Sequence, residues 1–206
     1  MKSSRTFAFI FWKKMLNGQG KKRRVSQWLR RRRTSDLKWK EGILEFHRGV
    51  SFLSVAPFVQ TPLEVAKKML ELAELKPGEN LFDLGCGDGR LILLAAKDMG
   101  AISTGIDLRE DLLERAKTEI LRQGLQGRVR VIQGNFFDVD ISPANVVTLY
   151  LTSSANERLR PKLEKELQVG CRIVSHDFKV PGWKPKQVYD ELLGHTIYTY
   201  CIGEQL

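Results

Sequence analysis

Apolar residues follow two spacings along the chain, one typical of amphipathic helices and one of short buried strands. The first helical series has four apolar positions: Val65, Met69, Leu72 and Leu75. Thr61 suits the N-cap position and Pro62 suits the first turn, so we expect a helix to begin here. Pro77 and Gly78 then end the series.

Five apolar runs of strand length follow, at 81–84, 103–108, 129–133, 146–151 and 172–178. Between them lie a turn-rich segment, 137–145, and helical patterns at 91–97, 110–123 and 155–167. Such alternation predicts a parallel sheet with helices on both faces. A helix-free connector, 181–185, precedes strand-like runs near Val188 and at 196–202, which predict a closing pair with one antiparallel strand. The expected fold is a seven-stranded α/β sheet.

Positive charge is concentrated at one end of the chain. Residues 1–40 contain 14 Lys and Arg and one acid, a net +13, whereas the remainder carries 20 basic and 23 acidic residues, a net −3. We therefore expect a basic arm, 1–40, and a mildly acidic domain, 41–206. Trp28 and Trp39 lie among the basic clusters, which suits nucleic acid or an anionic membrane surface. A solvated arm without a partner is the alternative.

The cysteines and the early apolar segment exclude several classes of protein. Cys86, Cys171 and Cys201 lack metal-ligand spacing, so we expect a reducing compartment, no disulfide framework and no metal site. The apolar run 7–12 is too short to cross a bilayer, so we expect no transmembrane segment. The cytoplasm is the expected location, with mitochondria as the alternative because the arm resembles a transit peptide. We expect a monomer.

A glycine-rich loop carries the chemistry. Asp83 ends the first strand, and Gly85, Gly87 and Gly89 follow at alternate positions before a helix. Glycines allow a tight turn and close approach of a ligand, and the helix start offers free N–H groups. The nicotinamide fingerprint G-x-G-x-x-G is absent, because Arg90 follows Gly89. The pattern resembles that of class I methyltransferases, and the resemblance implies that Asp83 lies near the amino group of the methionine moiety of S-adenosylmethionine.

Polar residues at the next two strand ends complete a nucleoside site. Asp107 ends the second strand 18 residues beyond Gly89, where a carboxylate accepts hydrogen bonds from both ribose hydroxyls. Asn135 follows the third strand, and its carbonyl is able to accept from the adenine amino group. Phe136 would stack or pack on the purine, with a plain core position as the alternative.

The fourth strand bears on the acceptor. Its end reads Thr148-Leu149-Tyr150-Leu151, without the Asn/Asp-Pro-Pro-aromatic motif of enzymes that methylate nucleobase amines. We expect Tyr150 to orient an alkyl amine, either by its hydroxyl or by its ring face. A buried strand tyrosine with a satisfied hydroxyl is the alternative.

Several segments together resemble the archaeal broad-specificity protein-lysine methyltransferases and their mitochondrial lysine methyltransferase relatives. The matching segments are 56–62 (Ala-Pro-Phe-Val-Gln-Thr-Pro), 83–90, 134–138, 147–151, 156–163, 174–178 (Val-Ser-His-Asp-Phe) and 181–185. The resemblance covers about residues 50–206. It implies a Rossmann-like seven-stranded methyltransferase sheet with a reduced helix between strands five and six, S-adenosylmethionine as donor, and protein lysines as acceptors.

The resemblance also assigns residues around the acceptor. Phe58 and Thr61 would lie over the cofactor at the acceptor entrance, and Asn156 with 159–163 would shape the far wall. Asn135 departs from an acid common in the family, and the basic arm fits neither group of relatives.

We therefore expect a protein-lysine N-methyltransferase that acts on exposed lysines with a broad substrate range. An RNA methyltransferase recruited by the basic arm is one alternative, which the missing Pro-Pro motif disfavours. A non-catalytic nucleoside-binding module is another, which the intact Asp83, glycines and Asp107 disfavour. His176 is interpreted as a hydrogen-bonded structural histidine, and His195 receives no role.

Overall fold

Seven strands and four helices make up the part of the chain that the computed structural model describes, residues 58–205. The strands are β1 (Asn80–Leu84), β2 (Ile102–Asp107), β3 (Val129–Gln133), β4 (Val146–Leu149), β5 (Arg172–His176), β6 (Gln187–Leu192) and β7 (His195–Cys201). The helices are α1 (Leu63–Leu72), α2 (Arg90–Asp98), α3 (Glu110–Arg122) and α4 (Ser153–Glu166). The predicted basic arm and its boundary at residue 40 lie outside the described residues.

The strands form one sheet in the order β3-β2-β1-β4-β5-β7-β6. Strands β1 to β5 pair in parallel, and β7 pairs antiparallel with both β5 and β6. Within the described residues, the connection from β5 to β6 contains no helix. The predicted seven-stranded sheet with an antiparallel final strand is confirmed.

Helices cover both faces because buried side chains alternate along each central strand. Phe82 and Val147 face the cluster that contains Leu159 and Leu163 of α4. Leu81 faces the opposite cluster, which residues of α1 and α2 complete. Each fully buried aliphatic side chain contributes about 1.5–3 kcal/mol, so both layers stabilise the sheet.

The start of α1 differs from the prediction. Pro62 is the N-cap residue and no side chain caps the helix, so the assignment of Thr61 as N-cap is wrong. The Thr61 hydroxyl instead lies 3.4 Å from Nδ1 of His176, a tertiary contact that competes with capping. The helix ends at Leu72, before the predicted position 75, because Glu74 adopts a left-handed φ of 50°.

Strands β4 and β5 each end two residues earlier than predicted, and this positions the candidate site. Strand β4 ends at Leu149 and β5 at His176, so Tyr150 and Asp177 lie just beyond the carboxyl ends of neighbouring strands. The strand order reverses between β1 and β4, and ligands of open α/β sheets bind at such a point. No helix in the described part of the chain is long and apolar enough to span a membrane.

Candidate active site

The loop after β1 is held tightly against β2. The backbone N–H groups of Gly85 and Cys86 both donate to the carbonyl of Ile106, at 2.8 and 3.1 Å. Gly87 has a φ of 55°, and a Cβ there would lie 2.4 Å from the Phe58 ring. Glycine is therefore required at this position for both its conformation and its close contact.

A buried carboxyl lies beneath this loop. Asp83 is only 7% exposed and accepts a hydrogen bond from the Thr148 hydroxyl at 2.8 Å. Burial, together with the charges of Asp107 and Asp88, raises the pKa of Asp83 to about 7, although the Thr148 hydrogen bond partly opposes the rise. A cation that contacts Asp83 would favour its ionised form.

Asp107 links the end of β2 to the glycine loop. Its Oδ2 accepts from the backbone N–H of Gly87 at 2.9 Å, and its Oδ1 accepts from that of Arg109 at 2.9 Å. These bonds fix the carboxylate at the carboxyl edge of the sheet while leaving lone pairs for further donors. Arg109 also lies over the Phe58 ring, 5.8 Å from its centroid.

An ion pair ties the segment before α1 to the same loop. Arg90 donates to Asp88 through Nε at 2.9 Å and Nη2 at 2.6 Å, and its Nη1 donates to the Thr61 carbonyl at 2.8 Å. Burial tends to raise the pKa of Asp88, but the hydrogen bonds and charge of Arg90 outweigh it and hold that pKa below its usual value. The glycine-loop pattern did not predict this role of Arg90.

Asn135 and Phe136 follow β3 at the same edge. The Asn135 carbonyl accepts from the backbone N–H of Phe137 at 3.1 Å, and its amide donates to Asp138 at 3.0 Å. Phe136 is 4% exposed and packs in the core cluster with Leu84 and Ile106. Their predicted adenine contacts remain predictions.

Tyr150 joins a group of aromatic and titratable side chains beyond β4 and β5. Its ring centroid lies 3.8 Å from that of His176, and its hydroxyl donates to Oδ2 of Asp177 at 3.4 Å. Burial, together with the charge of Asp177, raises the pKa of the Tyr150 hydroxyl well above its usual value. Tyr150 therefore remains a neutral phenol that donates to a carboxylate.

His195 belongs to this group as well, although sequence analysis gave it no role. Its Nδ1 lies 3.0 Å from Oδ2 of Asp177 and 2.9 Å from Nε2 of His176. The antiparallel pairing of β5 with β7 brings these residues together, since it places His176 opposite Ile197. The contact of His195 with Asp177 and His176 would have been predictable only if the register between β5 and β7 had been known.

Asn156 holds the segment after β5. It is fully buried, and its amide donates to the Ser175 hydroxyl and to the carbonyls of Phe178 and Lys179, at 3.2–3.3 Å. Leu159 and Leu163, predicted to shape the far wall with it, lie in the hydrophobic core. Trp183 packs on Tyr200 and donates to Glu164, in keeping with a packing anchor.

The β1 loop and the two acids fit the predicted donor. Gly87 leaves no side chain between the loop and an approaching ligand, and two carboxylates suit an ammonium and two hydroxyls. Asp83, Gly85, Gly87, Gly89 and Asp107 lie together at the carboxyl edge of β1 and β2.

Comparisons with known proteins agree with this fit. Residues 83–187 match the family described as the ANTKMT methyltransferase domain. A protein-lysine N-methyltransferase of Saccharolobus islandicus (strain REY15A) is 45% identical over 159 residues, which are 75% of this chain and 99% of that protein. The adenine nucleotide translocase lysine N-methyltransferase of Mus musculus is 31% identical over 66% of this chain and 58% of that protein.

A solved structure is also similar over most of its length. It is an RNA methyltransferase from Salinibacter ruber in complex with S-adenosyl-L-homocysteine, 42% identical, with a TM-score of 0.69 over 72% of this chain and 96% of that chain. The predicted fold, methyltransferase activity and S-adenosylmethionine donor are confirmed. With its glycine loop, its seven-stranded sheet and these relatives, the chain belongs to the S-adenosylmethionine-dependent methyltransferases of the ANTKMT methyltransferase domain family.

Proposed function

We propose that this enzyme methylates the ε-amino groups of exposed lysine residues in proteins, with little demand on the surrounding sequence. The end of β4 carries the proposal, because Tyr150 stands where enzymes acting on nucleobase amines place a Pro-Pro motif. The similarity to the Saccharolobus protein, which is covered over 99% of its length, supports the same acceptor.

Lysine must reach the site as a neutral amine, since its ordinary pKa is about 10.4. Desolvation and repulsion from the sulfonium of the donor both disfavour the ammonium form. S-adenosylmethionine supplies the methyl group: the nitrogen lone pair bonds to the methyl carbon, the carbon–sulfur bond breaks, and its electron pair remains on sulfur. The nitrogen then loses a proton to water. The Tyr150 hydroxyl donates to Asp177, which leaves its oxygen able to accept an N–H of the amine.

The donor-binding residues in this proposal are Asp83, Gly85, Gly87, Gly89, Asp107, Asn135, Phe136 and Thr61. Asp83 would pair with the ammonium of the methionine moiety, and Asp107 would accept from the ribose hydroxyls. The burial of Asp83 supports the first role, because a buried carboxylate gains most from a cationic partner.

The test combines label transfer with a matched pair of variants. Full-length enzyme is incubated with methyl-tritiated donor and a cell extract, and the label is then partitioned by protease and by ribonuclease. Tyr150→Phe should lower kcat about tenfold with unchanged donor Kd, because about 1.4 kcal/mol of amine positioning is lost. Tyr189→Phe, on the outer strand β6, should retain full kcat. Equal kcat for both variants would refute the role of Tyr150.

RNA methylation is the second candidate function, because the similar Salinibacter ruber protein is described as an RNA methyltransferase. It requires label that resists protease and is released by ribonuclease. That outcome would overturn the lysine proposal, whereas protease-sensitive label on lysine would support it.

We further propose that residues 1–40 form a basic arm that recruits an anionic partner to domain 41–206, and that the enzyme acts as a cytoplasmic monomer. The net charges of +13 and −3 support the division. Replacing the four arginines at 30–33 by glutamine should weaken salt-sensitive retention on nucleic acid or anionic vesicles. Unchanged retention would contradict this role.

A further inference from the structure

Three ligand-type side chains converge where β5 ends and β7 begins: His176, Asp177 and His195. His176 and Asp177 are buried, and the His195 side chain is 13% exposed. One ligand atom from each lies within 4.8 Å of the other two. The expectation of no metal site rested on local ligand spacing in sequence, whereas these ligands come from two separate segments.

The ligand atoms form a small triangle. Nε2 of His176 lies 2.9 Å from Nδ1 of His195 and 3.6 Å from Oδ2 of Asp177, and that oxygen lies 3.0 Å from Nδ1 of His195. A ring nitrogen carries either a hydrogen or a lone pair. If Nδ1 of His195 carries a hydrogen and donates it to Asp177, Nε2 of His176 has to share that hydrogen. If Nδ1 of His195 instead accepts a hydrogen from Nε2 of His176, the lone pair of Nδ1 also faces the Asp177 carboxylate oxygen. A divalent cation is attracted to all three atoms at once.

The size of the triangle suits such a cation. A circle through three atoms at these separations has a radius of about 1.9 Å, whereas metal–nitrogen and metal–oxygen distances for zinc are about 2.0–2.2 Å. An ion about 2.1 Å from each atom would therefore lie about 1 Å from their plane. Two imidazoles and one carboxylate would supply three ligands, and zinc in catalytic sites takes water as its fourth.

Neighbouring groups orient these ligands as they do in known metal sites. The other oxygen of Asp177 accepts from the backbone N–H of Thr196 at 3.0 Å, and the other ring nitrogen of His176 lies 3.4 Å from the Thr61 hydroxyl. Asp177 also adopts a left-handed φ of 61°, a conformation that turns its carboxylate at the strand end. Such outer contacts fix the tautomer and ring orientation of metal-bound histidines.

We propose that His176, Asp177 and His195 bind one divalent first-row transition ion of the zinc and cobalt type, through three protein ligands and an open position. The partial exposure of His195 gives the ion a path from solvent. The site adjoins Tyr150, whose ring packs against that of His176 at an interplanar angle of 31°. Its existence does not depend on which acceptor the enzyme methylates.

The experiment uses full-length protein stripped with a chelator and titrated with Co²⁺ alone. We expect one equivalent to bind with visible d–d absorption, and excess Zn²⁺ to abolish that absorption. Substitution of a residue that only hydrogen-bonds to a metal ligand weakens metal binding roughly 10–100-fold. His195→Gln should weaken Co²⁺ binding by more than this. Asp177→Asn should do the same, and Asp98→Asn, at an exposed position at the end of α2, is the control that retains wild-type affinity.

Circular dichroism establishes that each variant is folded, and His195→Gln is the decisive variant because its side chain is the most exposed of the three. A Zn²⁺-dependent rise in Tm should appear in the wild type and Asp98→Asn and be lost in His195→Gln. Absence of stoichiometric Co²⁺ binding to the wild type, or equal affinity in the wild type and His195→Gln, would overturn the proposal.

Discussion

Replacing Asp83 by asparagine removes the buried carboxyl from the core of the proposed donor site. The asparagine side chain keeps an oxygen that is able to accept from Thr148, so the change mainly removes the ionisation. In the wild type, burial raises the pKa of Asp83 from an ordinary value of 3.8 to about 7. The variant therefore isolates the cost of ionising this group in the folded protein.

The sign of the effect follows from proton binding. Between pH 3.8 and about 7 the folded state retains a proton that the unfolded chain has lost, so the free energy of unfolding falls as pH rises. The contribution of Asp83 is fully present below pH 3.8 and is lost as the pH passes its folded-state pKa of about 7. A pKa difference of about 3 corresponds to about 4 kcal/mol.

Urea unfolding at pH 4 and pH 8 without donor measures this contribution. The free energy of unfolding of the wild type should fall between pH 4 and pH 8. About 4 kcal/mol of that fall should be absent in Asp83→Asn. Donor affinity, measured by calorimetry, should rise from pH 6 to pH 8 in the wild type and not in the variant. At pH 8 the variant should bind the donor at least about tenfold more weakly than the wild type does. Asp98→Asn, at an exposed position, is the control. An identical pH dependence of stability in Asp83→Asn and the wild type would refute the reasoning.

Three further substitutions test the neighbouring geometry. Gly87→Ala places a Cβ 2.4 Å from the Phe58 ring, at a φ of 55°, and should weaken donor binding at least about tenfold by calorimetry; unchanged affinity would show that the loop yields freely. Thr148→Val removes a hydrogen bond that lowers the pKa of Asp83 and should shift the pH midpoint of donor binding upward; a downward shift would contradict that assignment. Asn156→Leu leaves the Lys179 carbonyl without its amide donor, whereas the Phe178 carbonyl keeps the Ser175 hydroxyl, and should lower the free energy of unfolding by about 1–3 kcal/mol in urea; a loss below about 0.5 kcal/mol would contradict its anchoring role.

The sheet and the donor loop were predictable because local patterns determine them. Short apolar runs separated by helical patterns indicate parallel strands, and the spacing of Gly85, Gly87 and Gly89 after Asp83 indicates a ligand loop. Asp107 was found by its distance along the chain from that loop. Each of these features lies within one β-α-β unit, where sequence spacing and spatial proximity agree.

The acceptor side was predicted less completely because its residues come from distant segments. His195 and Asp177 meet through the antiparallel register of β5 and β7, which apolar periodicity does not specify. Thr61 has the propensity of an N-cap residue, but its hydroxyl contacts His176 in the folded chain. In both cases a tertiary contact decided the outcome, and local propensity did not.

Tandem mass spectrometry of a protein substrate tests the central claim most directly. A mixture of folded proteins is incubated with full-length enzyme and isotopically labelled S-adenosylmethionine, alongside Asp107→Ala as a control for donor binding. The account predicts labelled methyl groups on lysine ε-nitrogens with the wild type, and at least about tenfold less labelling with the variant at limiting donor. Labelled bases in accompanying RNA, with unmodified lysines in every protein, would contradict it.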